Sequence, residues 1–98
     1  MIQENILGFE LSKKGTDTIS GFNPTKLENL PGEFAVATKA EVDEAMQKGF
    51  AAWRLYRNFS GQQKATFLRT IADEIEALGE KLVQRAMAET GLPEGRMV

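Results

Sequence analysis

The stretch that decides the fold is TKAEVDEAMQKGFAAWRLY, residues 38–56. It opens with Thr38-Lys39-Ala40-Glu41, a capping-box pattern. The Thr38 hydroxyl can accept from the Glu41 amide while the Glu41 carboxylate reaches back to the Thr38 amide. Behind the box, Val42, Ala45, Met46, Gly49, Phe50, Ala52, Trp53 and Tyr56 fall on one side at 100° per residue. Asp43, Glu44, Gln47, Lys48 and Arg54 take the other side. Glu44 precedes Lys48 by four residues, the favourable order for an exposed ion pair. Leu55 sits on the polar side and is not explained by the stripe. The spacing predicts a helix whose aromatics Phe50, Trp53 and Tyr56 belong to a core rather than to a ligand shelf.

Toward the C-terminus the pattern repeats. Ser60-Gly61-Gln62-Gln63 is a second capping box. The helix after it places Ala65, Phe67, Leu68, Ile71, Ala72, Ile75 and Leu78 on one arc, with Arg69, Asp73, Glu74 and Glu76 mostly outside it. Gly79 suits the left-handed position that ends a helix, because it has no Cβ to clash. A third helix is predicted over residues 80–90, with Leu82, Val83, Ala86 and Met87 inward. Gly91 ends it and Pro93 prevents its resumption. Each cap contributes about 0.5–2 kcal/mol, less than the burial of one large apolar side chain at about 1.5–3 kcal/mol.

Toward the N-terminus the texture changes to short apolar runs broken by Gly and Pro. Ile6-Leu7-Gly8-Phe9-Glu10-Leu11 reads as one strand and Ser12-Lys13-Lys14-Gly15-Thr16-Asp17 as an exposed turn. Thr18-Ile19-Ser20-Gly21-Phe22 reads as the returning strand of a hairpin. Asn23-Pro24 ends that strand, since Pro cannot donate to a ladder. Leu30-Pro31-Gly32 is a further turn, and Glu33-Phe34-Ala35-Val36-Ala37 a third strand. The expected fold is therefore α+β in one partial domain: strands and turns over residues 1–38, then three helices over residues 39–98.

Composition narrows the chemistry. The chain of 98 residues carries a net charge of −2, and neither Cys nor His occurs in it. Disulfides, Cys or His zinc sites, thiol nucleophiles and imidazole bases are thereby excluded within this chain. Lys and Arg are interspersed with Asp and Glu, so no nucleic-acid partner is indicated. No apolar run reaches the roughly 20 residues of a membrane span. The first residues lack the basic start and long apolar run of a secretory signal, which leaves the cytoplasm as the expected location. Asp73, Glu74, Glu76 and Glu80 invite comparison with a metal or acid–base site, but a solvated helix face produces the same pattern. Gly8, Gly15, Gly21 and Gly32 form no phosphate-cradling motif. Tyr56 has no Lys partner at helical spacing. The residues therefore predict no catalytic, cofactor-binding or metal site. What remains is a structural or interaction role, or a portion of something larger.

The assembled motifs resemble the N-terminal end of an aldehyde dehydrogenase. The residues that carry the resemblance are Phe22-Asn23-Pro24, Phe34-Ala35-Val36-Ala37-Thr38, Val42-Asp43-Glu44-Ala45, and the aromatics Phe50, Trp53 and Tyr56. They continue with Lys64-Ala65-Thr66-Phe67-Leu68, Ile71-Ala72-Asp73-Glu74-Ile75-Glu76 and Glu89-Thr90-Gly91-Leu92-Pro93. Their order follows the family's over about residues 5–98, and the wording of residues 71–96 is most similar to the branch that oxidises 2-oxoglutarate semialdehyde. The resemblance implies a longer parent in which a Cys thiolate attacks the aldehyde, hydride passes to NAD or NADP, and a Glu-activated water releases the acid. None of those groups lies in this segment, which is similar to the outer start of the cofactor-binding domain. It further implies that the chain alone is inactive and that its apolar faces are covered by the rest of the parent polypeptide or by self-association into an oligomer. A chain that halts at Val98 fits an incomplete domain. A standalone helical interaction domain is the alternative, and a carboxylate-metal enzyme a third.

Overall fold

The computed structural model describes residues 2–98. In chain order its elements are β1 Ile2–Gln3, β2 Asn5–Leu7, β3 Glu10–Ser12, β4 Thr18–Ile19, β5 Phe22–Asn23, β6 Glu28–Asn29 and β7 Glu33–Ala35. Then come α1 Lys39–Tyr56, α2 Gly61–Thr90 and a 3-10 turn at Glu94–Arg96. The α+β class matches the expectation. The chain divides into two units, one of residues 1–21 with 31–58 and one of residues 22–30 with 59–98.

In the first unit a three-stranded sheet has the order β1-β7-β4, β1 lying parallel and β4 antiparallel to β7. The ladder pairs Ile2 with Glu33 and Thr18 with Ala35, and the Val36 amide extends it by donating to the Asp17 carbonyl at 3.0 Å. Beside it β2 and β3 form an antiparallel hairpin that pairs Ile6 with Leu11 and Leu7 with Glu10. This corrects the strand assignment. The run Ile6–Leu11 is not one strand, because the chain reverses at Gly8-Phe9. Gly8 holds φ at 68°, a left-handed value that a residue with a Cβ avoids. Thr18–Ile19 consequently pairs with β7 and not with residues 6–11. Alternation along β2 turns Leu7 into the interior and leaves Ile6 outside.

The helix α1 starts as its sequence predicts. Thr38 has extended backbone, its Oγ1 accepts from the Glu41 amide at 3.2 Å, and Glu41 Oε1 accepts from the Thr38 amide at 3.0 Å. Its apolar stripe is much less covered than expected. Met46, Phe50 and Trp53 are half exposed or more. Leu7 and Ala35 are the only buried apolar side chains among the described residues.

In the second unit, β5 and β6 form a hairpin around Pro24, where the sequence predicts only a break. Asn23 builds the turn: its Oδ1 accepts from the amides of Thr25 and Lys26 at 2.9 and 3.0 Å, and its carbonyl accepts from the Leu27 amide at 2.8 Å. The second capping box is present at Ser60 and Gln63. The three-helix expectation is corrected to two. α2 runs through Gly79 with a kink at that residue, where φ is 58° and ψ is −136°. Gly79 does leave helical geometry, but Glu80 resumes the helix at once, so the predicted helix over residues 80–90 is the second arm of α2. Gly91 then caps it in the left-handed conformation, its amide donating to the Met87 carbonyl at 2.9 Å.

Candidate functional site

The polar groups brought together in the first unit centre on Glu41 and Lys48 of α1. Glu41 closes the capping box, yet it is also fully buried. The Ser12 hydroxyl donates to its Oε2, which ties β3 to the start of α1 across 29 positions of sequence. The backbone amide of Lys14 donates as well. The Ser12 hydroxyl, followed by the Thr38 amide, holds the Glu41 carboxyl below the ordinary carboxylate value, against the opposing effect of burial. All these donors are neutral, and no ion pair to Glu41 occurs among the described residues. The arrangement stabilises a fixed anion. It presents no proton to an outside molecule, because the carboxylate has no accessible surface.

Lys48 was expected as an exposed partner of Glu44. That pair is present at 3.9 Å, and Lys48 Nζ also donates to the Leu7 carbonyl at 2.9 Å, with the Glu10 carboxylate at 4.0 Å. Its stem covers Gly8, where an added Cβ would meet Lys48 Cδ at 3.3 Å. Lys48 thus fastens the β2–β3 hairpin to α1. Neither contact has a local sequence signal, since their partners lie 29 and 41 positions apart. A capping box marks Glu41, but nothing nearby marks Ser12.

The residues weighed for chemistry from sequence fall elsewhere. Asp73, Glu74, Glu76 and Glu80 are exposed on α2. Glu80 Oε1 accepts from Gln84 Nε2 at 2.7 Å, and no grouping of three or more His, Cys, Asp or Glu side chains able to hold a metal occurs among the described residues. Phe50 and Trp53 stand with ring centroids 5.7 Å apart, and the Arg57 guanidinium lies 4.8 Å from the Trp53 centroid. They form an open aromatic–cation ledge on α1 and not the buried core expected of them. On α2 an apolar groove is lined by Phe67, Thr70, Ile71, Glu74, Ile75 and Leu78. No helix is long and apolar enough to cross a membrane among the described residues.

Short strands, two capped amphipathic helices, buried polar ties and open apolar faces are what the chain presents. The chain belongs to the aldehyde dehydrogenase family, which it matches over residues 11–97. It is 40% identical over 95 residues to alpha-ketoglutaric semialdehyde dehydrogenase 2 of Azospirillum brasilense, an overlap covering 96% of this chain and 18% of that protein. It is 43% identical over 76 residues to an alpha-ketoglutaric semialdehyde dehydrogenase of Acinetobacter baylyi, covering 78% of this chain and 14% of that protein. A 1-pyrroline-5-carboxylate dehydrogenase of Staphylococcus haemolyticus is 29% identical over 77 residues, covering 79% and 15%. The chain therefore spans less than a fifth of the length of these relatives. No solved structure matches it significantly. Membership of this family does not favour a standalone interaction domain.

Proposed function

We propose that this chain is the N-terminal part of a cytoplasmic, NAD(P)-dependent aldehyde dehydrogenase that oxidises 2-oxoglutarate semialdehyde to the dicarboxylate. The observation that carries the substrate is the identity of 40% and 43% to two proteins that both bear the semialdehyde dehydrogenase name, against 29% to one named for another substrate. Within that parent the segment supplies scaffold. It contains no Cys to attack an aldehyde. Two of its left-handed glycines leave a dinucleotide no room. The open side of Gly8 is occupied by Lys48 and that of Gly91 by Thr25, whose Oγ1 stands 3.2 Å from where a Cβ would lie. A pyrophosphate needs successive free backbone amides at a Gly-rich turn before a helix, and these residues do not fit one. The nicotinamide site, the thiolate and the activating base then belong to the remainder of the parent. The exposed stripes of α1 and α2 pack against that remainder.

The test reads the coding frame beyond Val98 and assays its full product. An open frame encoding a Cys nucleophile segment, and a product that reduces NADP or NAD with 2-oxoglutarate semialdehyde faster than with 1-pyrroline-5-carboxylate, supports the reading. A stop codon directly after Val98, or the reverse order of substrates, contradicts it.

A further inference from the structure

The β2–β3 hairpin lies along α1 and is tied to it at both ends. At its open end the Ser12 hydroxyl donates to Glu41 Oε2, and near its tip the Leu7 carbonyl accepts from Lys48 Nζ at 2.9 Å. Glu41 and Lys48 are seven residues apart, about two turns of helix, so both ties leave the same side of α1. Little else holds the hairpin down. Leu7 is its one buried apolar side chain at 6% exposed, whereas Ile6, Phe9 and Leu11 are 67% exposed or more. Asn5 Nδ2 is buried without a hydrogen-bond partner among the described residues, a cost that contact with water removes.

The chain on either side of the hairpin is fastened independently of it. β1 pairs with β7 at Ile2–Glu33 and Gln3–Phe34, and β4 pairs with the same strand at Thr18–Ala35 and Ile19–Phe34. The Thr18 hydroxyl adds a bond to Glu33 Oε1 at 3.1 Å. Gly15 is seated just ahead of α1, where an added Cβ would come within 3.0 Å of Thr38 Cγ2 and 3.3 Å of the Val36 carbonyl oxygen. Opening of residues 5–12 breaks none of these pairings, with Glu4 and Lys13 as the residues that turn. It also leaves Glu41 its bonds from the amides of Thr38 and Lys14, and water takes the place of Ser12. A hairpin of two short strands has little stability by itself, so once off α1 it loses its own ladder as well.

We propose that the β2–β3 hairpin is a strap that opens from α1 as one unit, by loss of the Ser12–Glu41 and Lys48–Leu7 ties, while β1, β4 and β7 stay paired. Opening uncovers the Glu41 carboxylate. It also turns the cleft between the hairpin tip and α1, lined by Gly8, Phe9, Glu10, Lys48, Ala51 and Ala52, into open surface. The strap does not rest on the proposed substrate or cofactor, and it survives if those are wrong.

Native-state amide exchange of the full chain, followed across low urea concentrations, tests it. The protected amides of β2 and β3 should share one protection factor, about tenfold or more below that of β7 and the middle of α1. Their urea dependence should be much the shallower, because opening the strap exposes little surface. Ser12→Ala breaks the tie at the open end alone. It should lower protection about fivefold, the factor of one hydrogen bond, at the Leu7–Glu10 end and the Asn5–Ser12 end alike. Ile19→Gly weakens β4, which is paired whether the strap is open or closed. It should lower the protection of β7 about fivefold and leave that of the hairpin unchanged. Hairpin protection equal to that of β7, or falling with it in Ile19→Gly, overturns the strap. So does a Ser12→Ala effect confined to the Asn5–Ser12 end, a urea dependence of the hairpin amides as steep as that of β7, or a β7 without protection, since its pairing must outlast the hairpin.

Discussion

At the residue scale, Glu41 shows how one side chain joins two levels of structure. Its capping role is local, and its bond from Ser12 is not. Because the folded state holds this carboxyl below the ordinary value of 4.5, the folded chain binds its proton more weakly than the unfolded chain does. Its contribution to stability is therefore complete above that ordinary value and is lost as pH falls through the lowered one. The urea midpoint should drop in acid for the wild type. Glu41→Gln should be less stable at neutral pH and show a flatter acid limb, and an equal acid drop in both proteins would contradict the assignment. Lys48→Met should keep the stem over Gly8 but lose the bond to the Leu7 carbonyl. The expected cost is about 1 kcal/mol in urea unfolding, the lower end for a bond from a charged donor because the side chain is partly exposed. Exchange of the β2–β3 amides should speed up in the same variant. A change confined to α2 amides would show that Lys48 does not hold the hairpin.

The elements differ in how plainly the sequence announces them. Both helix starts were legible at Thr38 and Ser60, because a capping box needs only residues three apart. The end at Gly91 was legible for the same reason, as one residue's φ decides it. The strands were less so. Ile6–Leu11 has the composition of a single strand, yet Gly8 reverses it at a left-handed φ, beneath the stem of Lys48 forty positions away. The β5–β6 hairpin was hidden because Pro24 reads as a stop, whereas the Asn23 side chain turns that stop into a tight return. Gly79 was correctly read as a departure from helical geometry, but a stop signal does not say whether a helix resumes. Here it resumes at once, and two helices replace three. Ser60→Ala should destabilise by about 1 kcal/mol through loss of the cap. Gly79→Ala meets no neighbouring atom, so any cost comes from backbone alone. At φ 58° and ψ −136° that cost should be about 1–3 kcal/mol, read as a lower melting temperature. An unchanged melting temperature would mean that the kink straightens freely.

At the scale of the whole molecule, apolar residues with helical periodicity predict a core, yet Met46, Phe50, Trp53, Leu68 and Ile75 are open to solvent. Periodicity reports which side of a helix is apolar and not what covers it. On the proposed reading the cover is the rest of a longer parent: the chain matches aldehyde dehydrogenases over residues 11–97 and spans 14–18% of its semialdehyde dehydrogenase relatives. The absence of a thiol nucleophile follows from composition alone, because a chain without Cys has no thiolate whatever its fold. The central claim is that these 98 residues are scaffold and carry none of the reaction. Its most direct test incubates the purified chain with 2-oxoglutarate semialdehyde and NADP, then with NAD, and follows nicotinamide reduction at 340 nm. The account predicts a rate equal to the protein-free blank with both cofactors at every chain concentration. A rate that grows in proportion to the chain would contradict it.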